Sequence, residues 1–378
     1  MKIGIIRTSH KENERRVPIY PEHLPWIDLE LRKHLVFESN YGQDYGFSDE
    51  YFIRHQSSLS DRQGLFKTCD MLILPKPILQ DYEQMKEFQT IWGWHHCVQG
   101  RKISQAAIDR KLTLIAWEAM HQWSKGGERL MHSFYKNNEI AGYSAVLHVL
   151  ELLGVDGHYG PRKNVIIIGY GSVSRGAIYA LQGRGYNNIH VYTRRPVHLV
   201  ADQNPDVYYH HLEVAPNGQM FGVHNDRSRR PFVEELAEAD IICNGILQDT
   251  DNPLIFVDEK NIDLLKPRSV IIDISCDEGM GFSFARPTTF KDPIFSVGQN
   301  ITYYSVDHIP SYLWNAASRE ISRVVLSFLP ILAGGIQSWC ECETVKKAIE
   351  IRNGVIQNPK ILSFQNRQEE YPHLEVIT

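Results

Sequence analysis

The chain has 378 residues, of which 43% are hydrophobic and 22% are charged, and its formal net charge is −5. This length exceeds what one small core fills, so we expect two domains, and the composition excludes disorder over most of the chain. The slightly acidic balance gives no general attraction for nucleic acid or for an anionic membrane, so an anionic ligand must be held by a local cluster of donors.

The termini and the cysteines predict a cytoplasmic protein. The first 17 residues contain too short an apolar run for a signal peptide, and no stretch reaches the roughly 18 apolar residues of a membrane span. Of the six cysteines only Cys340 and Cys342 are close together, and their C-x-C spacing is not that of a zinc or redox pair. We interpret the cysteines as buried reduced thiols.

Short apolar runs alternate with polar and helical segments over the first 120 residues, which is typical of a parallel α/β sheet. A short helix is expected near 21–31. Ligands collect outside the carboxyl ends of parallel strands, and Lys76, His95, His96 and Glu118 all lie at predicted ends. The predicted strands are 2–7, 35–40, 71–77, 90–96 and 112–118.

A long helix over 138–154, ending at Gly154, is predicted to connect the first domain to a second one. The second domain has predicted strands before Gly169 and at 188–193, 239–245 and 269–275. A further helix from 311 to about 332 returns to the first domain, and the tail after Gly354 is predicted to be irregular.

The polar region 196–232 shows no clear period and is predicted to be a surface loop or an insertion. Its histidines His210, His211 and His224, with Asp226, fit no common metal-ligand spacing. We therefore predict no metal site.

The sequence Gly169-Tyr170-Gly171 stands directly between an apolar strand and a helix. Glycines there permit a tight turn and a close approach of backbone N–H groups to a pyrophosphate, whose charge the helix amino terminus favours. Small Ser174 takes the third position of the motif, and Gly176 follows; the alternative is an ordinary glycine-rich turn. The predicted dinucleotide-binding residues of this turn are Gly169, Gly171, Ser172, Val173 and Ser174.

The next strand ends at Thr193-Arg194-Arg195, where NAD-specific sites place a carboxylate for the ribose hydroxyls. A carboxylate repels a 2′-phosphate, whereas guanidinium groups bind it bidentately. The sequence therefore predicts NADPH or NADP as cofactor in preference to NADH. The alternative is that the two arginines are a solvated surface pair.

Hydride transfer to a carbonyl or imine carbon needs a cation for a carboxylate, a group that polarises the oxygen or nitrogen, and a proton donor. Arg16, Lys76 and His96 offer these groups. The residues alone leave open that the lysine is solvated and the histidine belongs to the core.

Seven blocks of this sequence resemble, in order and spacing, the alanine dehydrogenase/saccharopine dehydrogenase superfamily, and most of all its N5-(carboxyethyl)ornithine synthase branch. The resemblance implies an α/β fold of two Rossmann-like domains with doubly wound parallel sheets and a cleft between them. It implies a substrate domain from 1–135 and 306–378, the latter including the tail, and an NAD(P)-binding domain at 136–305. The blocks are residues 14–24, 72–77, 91–96, 166–177, 240–246, 270–283 and 306–311.

The resemblance also implies roles for individual residues. Arg16 corresponds to the arginine that binds the keto-acid carboxylate, Lys76 to the lysine that polarises the substrate oxygen, and His96 to the catalytic histidine, with neighbouring His95 as the alternative. His308 departs from the family, which commonly has asparagine there. The remaining implied residues are Glu118 and Asp277, acids that line the substrate site, Asp277 also near the cofactor ribose, and Asn244, Gly245 and Ile246, beside the nicotinamide ribose.

The implied activity is that of an NAD(P)-dependent oxidoreductase acting on CH–NH donors. Our leading hypothesis is NADPH-dependent reductive condensation of a small, pyruvate-like α-keto acid with the amine of an ornithine-like or lysine-like amino acid. The alternatives are an alanine-type or saccharopine-type amino-acid dehydrogenase and a non-catalytic NADP-binding protein. The family implies a homo-oligomer with small-molecule partners, while the sequence leaves open which keto acid and amine react and in which direction.

Overall fold

The computed structural model describes residues 1–376 and divides the chain into two compact units. Unit 1 comprises Met1–Asn137 and the chain from Trp314 onward, whereas unit 2 is the continuous segment Asn138–Leu313. Within residues 1–376, no helix combines the length and the apolar character that crossing a membrane requires.

The strands are mostly short and apolar. In chain order they are β1 (Ile3–Ile5), β2 (Leu35–Glu38), β3 (Ser58–Ser60), β4 (Met71–Ile73), β5 (Thr90–Gly93), β6 (Thr113–Ala116), β7 (His121–Trp123), β8 (Arg129–His132), β9 (Val165–Ile168), β10 (Ile189–Thr193), β11 (Tyr208–Val214), β12 (Met220–Val223), β13 (Arg229–Pro231), β14 (Ile241–Asn244), β15 (Ile255–Val257), β16 (Val270–Asp273), β17 (Gly281–Phe282), β18 (Ile294–Val297), β19 (Ile301–Tyr304), β20 (Ile349–Arg352) and β21 (Val355–Ile356).

Two long α-helices stand out among several short ones: one crosses the first boundary between the units along the chain, and the other begins at the second boundary. In chain order the α-helices are α1 (Leu29–Arg32), α2 (Asp49–Arg54), α3 (Arg62–Thr68), α4 (Leu79–Gln84), α5 (Arg101–Asp109), α6 (Tyr135–Leu153), α7 (Ser172–Gly183), α8 (Phe232–Leu236), α9 (Trp314–Ala333), α10 (Ile336–Glu341), α11 (Glu343–Lys346) and α12 (Pro359–Gln365).

Unit 1 is built on a sheet of order β21-β20-β6-β5-β4-β1-β2-β3. Neighbouring strands from β6 to β3 are parallel, while β20 and β21 are antiparallel additions at one edge. The strands β1, β4, β5 and β6 are buried along their whole length, as expected of a parallel sheet covered on both faces. Their parallel direction brings their carboxyl ends to one edge.

Unit 2 contains a sheet of order β13-β12-β11-β10-β9-β14-β16-β19-β18. The six strands from β11 to β19 are parallel neighbours, and their order is the 3-2-1-4-5-6 arrangement of a doubly wound dinucleotide-binding fold. Alternate residues of β9 enter two different core clusters, with Ile167 in one and Ile166 in the other. The sheet is therefore covered on both faces.

Helices α6 and α7 of unit 2 pack with their backbones close together at Gly176. A Cβ atom at this position would lie 1.8 Å from the carbonyl oxygen of Glu139. No side chain larger than hydrogen fits without separating the helices, which explains why a glycine follows Ser174 in the motif.

These observations confirm the predicted α/β fold class with two parallel-dominated sheets, and they correct several elements. Strands β4 and β5 end at Ile73 and Gly93, so Lys76 and His96 lie in the loops beyond them rather than in the strands. The predicted helix near 21–31 is a 3-10 segment, Pro21–Trp26, followed by α1, because Pro25 cannot continue an α-helix.

Two regions that we predicted to be irregular are structured. Region 196–232 contributes β11, β12 and β13, and β11 pairs with β10 as an inner strand of the sheet. The tail after Gly354 forms β21 and α12, which belong to unit 1. The sequence of β11 does not reveal its strand period, because adjacent residues of the same type lie on opposite faces: Tyr208 is exposed whereas Tyr209 is buried.

Candidate functional site

The turn after β9 has the geometry that a pyrophosphate requires. Gly169 has a backbone φ of +91°, a conformation that residues other than glycine rarely adopt. Gly171 immediately precedes helix α7, no side chain caps that helix end, and a Cβ at Gly171 would meet no atom within 4 Å. The backbone N–H groups of the first turn, at Ser172 and Val173, are therefore not covered by a cap. They fit an anionic ligand.

The loop after β14 packs against this turn. A Cβ at Gly245 would lie 2.6 Å from Ser174 Oγ, and one at Gly169 would lie 2.9 Å from the Ile246 side chain. The Ser174 side chain is buried, and its hydroxyl has no hydrogen-bond partner among residues 1–376. The structure thus brings the predicted residues 169–174 and 244–246 together within unit 2.

The end of β10 also reaches the glycine turn. The Arg195 guanidinium donates a hydrogen bond to the Tyr170 carbonyl oxygen (2.6 Å), and buried Thr193 accepts one from the Arg195 backbone N–H (3.4 Å). Arg194 is exposed. The carboxyl end of β10 therefore carries two arginines, one of which is bonded to the glycine turn.

A carboxylate that we did not single out from the sequence lies at the end of β16. Asp273 is 1% exposed and accepts hydrogen bonds from the hydroxyl of Tyr303 (2.5 Å) and the amide of Asn244 (3.0 Å). Burial raises its pKa to about 7, and the negative charge of Asp277 adds to the rise. Asp277 itself is partly buried four residues further on.

In unit 1, Lys76 lies in a loop that is held from both sides. The Trp94 backbone N–H donates to the Pro75 carbonyl oxygen (2.9 Å), and the Ser9 hydroxyl donates to the Lys76 carbonyl oxygen (3.1 Å). Prolines on either side fix the backbone further. The Lys76 side chain is partly exposed.

The two histidines that follow β5 have different environments. His95 is 1% exposed; its Nδ1 pairs with the Tyr82 hydroxyl (2.7 Å) and its Nε2 with the carbonyl oxygens of Ile91 and Ile115 (3.2 and 3.0 Å). Burial lowers the pKa of His95 to about 4, so it is a neutral core residue. His96 is exposed, with a left-handed backbone φ of +51°.

Glu118 joins the loops of Lys76 and His96. Its Oε1 accepts a hydrogen bond from the His96 backbone N–H (2.5 Å), while its Oε2 is buried without a hydrogen-bond partner in the described part of the chain. Burial raises the pKa of Glu118, and the positive charge of Lys76 partly offsets this effect. The three predicted residues that leave β4, β5 and β6 therefore form one cluster.

Arg16 is buried and already bound to a carboxylate. Its Nε and Nη2 donate to the two oxygens of Glu14 (2.8 and 2.5 Å), its Nη1 donates to Asn137 (3.2 Å), and the guanidinium lies 4.7 Å from the Trp94 ring centre. The side chains of Arg16 and Glu14 are 2% and 1% exposed. A guanidinium has five N–H donors, so three of them are occupied here.

Two histidines of region 196–232, His210 and His224, pair with other side chains. His210 lies 3.0 Å from His190, and His224 forms a 2.7 Å ion pair with Glu235. Within residues 1–376 no group of three or more histidine, cysteine or acidic side chains could hold a metal ion. The six cysteines are free.

The difference between the two histidines can be tested through stability. Replacing His95 with asparagine should lower the melting temperature, because the buried Tyr82 hydroxyl then loses its partner. Since the folded-state pKa of His95, about 4, lies below its ordinary 6.5, its stabilising contribution is complete above pH 6.5 and is lost as the pH falls towards 4. The wild type should therefore lose its advantage over H95N as the pH falls from 6.5 towards about 4. A His96→Asn control that lowered the melting temperature equally would contradict this assignment.

Together, a glycine turn at a helix amino terminus, a 3-2-1-4-5-6 sheet and a lysine, imidazole and carboxylate at the strand ends of a second sheet define a dinucleotide-dependent enzyme. Two domain descriptions match the chain: "Alanine dehydrogenase/PNT, N-terminal domain" over residues 4–141 and "Alanine dehydrogenase/PNT, C-terminal domain" over 151–359. The chain therefore belongs to the alanine dehydrogenase/PNT family and is an oxidoreductase that uses a nicotinamide dinucleotide. The resemblance found in the sequence motifs is confirmed.

Individual relatives agree with this family. The chain is 29% identical over 337 residues to an N(5)-(carboxyethyl)ornithine synthase of Clostridium botulinum, covering 85% of this chain and 92% of the relative. It is 26% identical over 348 residues to alanine dehydrogenase 2 of Staphylococcus aureus, covering 88% and 87%. Among solved structures, an L-alanine dehydrogenase has a TM-score of 0.74 at 19% identity, covering 96% of this chain and 99% of that chain. A transhydrogenase from Sinorhizobium meliloti has a TM-score of 0.66 at 16% identity, covering 95% and 99%.

Proposed function

We propose that this enzyme uses NADPH to condense a small α-keto acid with the amine of an amino acid, giving an N-(carboxyalkyl)amino acid. The observation that carries the proposal is the cluster of Lys76, His96 and Glu118 at neighbouring strand ends of unit 1. The relative named N(5)-(carboxyethyl)ornithine synthase supports the choice of an amino acid as the amine.

The preference for NADPH is supported by the end of β10. Arg194 is exposed and Arg195 bonds to the glycine turn, and residues 192–195 contain no acid. Guanidinium groups bind a 2′-phosphate with charge-assisted hydrogen bonds, whereas an acid at this place would bind the hydroxyls of NADH.

The groups of unit 1 match the proton and charge requirements of the reaction. The amine adds to the keto carbon, and the resulting carbinolamine loses water to give an imine. A nicotinamide cofactor bound to unit 2 would supply the hydride that reduces this imine. His96, being exposed, donates the proton that lets the hydroxyl leave as water. The ammonium of Lys76 stabilises negative charge on the substrate oxygen. Glu118 holds the His96 backbone through the hydrogen bond described above.

Arg16 remains the proposed anchor of the keto-acid carboxylate, but its ion pair with Glu14 adds a condition. The substrate must use the remaining N–H groups of Arg16 or displace Glu14. A carboxylate that displaces another exchanges one bidentate pair for a similar one, so this step gains little binding energy.

The choice of amine can be tested by following NADPH oxidation with pyruvate or 2-oxoglutarate. We expect turnover to require an amino acid, with ornithine or lysine far more effective than ammonium. The carboxylate and the additional amine of such an amino acid, which ammonium lacks, add binding energy in the transition state. Mass spectrometry should show a product equal to the two substrates minus one oxygen atom.

The alanine-type reaction is the second candidate, supported by the relatives named alanine dehydrogenase. In that case pyruvate and ammonium alone would oxidise NADPH at a rate that no amino acid improves. A saccharopine-type reaction predicts activity only with 2-oxoglutarate or an equivalent diacid. A non-catalytic NADP-binding protein would show no turnover with any pair.

The proposal also includes a cytoplasmic homo-oligomer that acts on small molecules. Free cysteines throughout the described residues agree with a reducing compartment.

A further inference from the structure

Asp273 stands at the centre of a closed ring of hydrogen bonds at the ends of β14 and β16. Its Oδ1 accepts from the Asn244 amide (3.0 Å) and the Ser275 backbone N–H (3.1 Å). The Asn244 side-chain oxygen accepts from the Ile246 backbone N–H (3.2 Å), and the Ser275 hydroxyl donates to the Ile246 carbonyl oxygen (2.5 Å). The ring therefore joins the loop after one strand to the loop after the next.

The other oxygen of the carboxylate fixes the ring to the core. Asp273 Oδ2 accepts from the hydroxyl of Tyr303, which is fully buried in β19, the next strand of the sheet. Asp273 is 1% exposed, so a substrate cannot reach it directly. A role of this residue in the reaction must act through the loops that it holds.

Those two loops lie on the nicotinamide side of a doubly wound sheet. The glycine turn binds the pyrophosphate and the end of β10 binds the adenosine ribose, so the other mononucleotide lies over the ends of β14 and β16. Ile246 of the first loop contacts the glycine turn, and the second loop carries Asp277.

We propose that Asp273 is a positioning residue that holds loops 244–246 and 275–277 in the arrangement that binds the nicotinamide half of the cofactor. This role rests on dinucleotide binding by unit 2 and is independent of the keto acid and the amine. Losing Asp273 should release the nicotinamide half and leave the binding of the adenosine half unchanged.

The test compares a whole cofactor with its adenosine fragment by calorimetry on the full chain. The cofactor that the wild type binds more tightly is used, with 2′,5′-ADP as the fragment of NADPH or ADP as that of NADH. Asp273→Asn should weaken cofactor binding by about tenfold or more, as expected for the loss of a charged buried acceptor, and leave the fragment within about twofold. Because the cofactor is chosen by its affinity for the wild type, this outcome does not depend on the proposed NADPH preference.

A matched control removes a carboxylate at the other end of β14. Asp240 immediately precedes this strand, and its carboxylate accepts from the Asn164 backbone N–H (2.7 Å). Asp240→Asn should leave the ratio of cofactor to fragment affinity unchanged. If Asp273→Asn does not fold, Tyr303→Phe removes one donor to Asp273 and should change the same ratio in the same direction.

The two affinities decide the matter. Equal losses for cofactor and fragment in Asp273→Asn would assign it a structural role only and overturn the proposal, as would no loss for either. A wild type that binds neither cofactor would overturn it as well. If only Tyr303→Phe folds, an unchanged ratio of cofactor affinity to fragment affinity in this variant would also overturn the proposal.

Discussion

Replacing Lys76 with alanine is expected to lower kcat/KM of the reductive reaction by about 10² to 10³-fold, the usual cost of removing one group that stabilises transition-state charge. Binding of NADPH should be unchanged, because Lys76 belongs to unit 1 and the glycine turn to unit 2. Steady-state kinetics measures the first quantity and calorimetric titration of NADPH the second.

The matched control for Lys76 is Lys67→Ala, which removes an exposed lysine on α3 of the same unit. This variant should retain wild-type kinetics. Turnover by Lys76→Ala at a rate close to that of the control would show that the assigned chemistry is wrong. Loss of NADPH binding in Lys76→Ala would show that the variant is damaged beyond the substrate site.

The second large effect concerns cofactor choice. Arg194→Ala should reduce kcat/KM with NADPH by about 10- to 100-fold, the value of a charged hydrogen bond, and leave kcat/KM with NADH almost unchanged. Arg195→Ala should weaken both cofactors, because the Arg195 side chain also donates to the Tyr170 carbonyl oxygen of the glycine turn. Kinetics with both cofactors distinguish the two variants.

Arg184 provides the control, since it is an arginine of the same unit whose guanidinium forms a long, 3.5 Å ion pair with Asp156. Arg184→Ala should leave the ratio of the two cofactors unchanged. A wild type that prefers NADH, or an Arg194→Ala variant that loses both cofactors equally, would reject the 2′-phosphate site.

Much of the fold was predictable because its central strands are continuous apolar runs. The strand before Gly169 and the strand containing Ile271 read directly from the sequence, since parallel strands buried on both faces leave no polar alternation to interpret. The prediction failed at β11 and α12, where half-buried His210 and exposed Ser363 break the pattern. Pairing with β10 and packing within unit 1 fix these elements, and neither interaction is local in the chain.

The candidate site was predictable only as far as residue type and position within a strand can indicate chemistry. Lys76 and Glu118 were found because they follow apolar strands. The ion pair of Arg16 with Glu14 and the ring around Asp273 depend on side-chain orientation, which sequence spacing does not give. Asp273 could have been singled out from the sequence because it ends a buried apolar strand. A carboxylate rarely occupies such a position without a hydrogen-bond partner.

Strand β20, which lies between β21 and β6, has a consequence for how the polypeptide is made. It pairs with β6, and the Gln365 side chain donates to the carbonyl oxygen of Cys97, 268 positions earlier in the chain. A ribosome delivers all of unit 2 before β20 and Gln365 emerge. Unit 2 can therefore fold while β6, in the nascent amino-terminal segment, still has an unpaired edge. Such open edges attract other chains, which makes this interval of synthesis the one in which chaperones matter most.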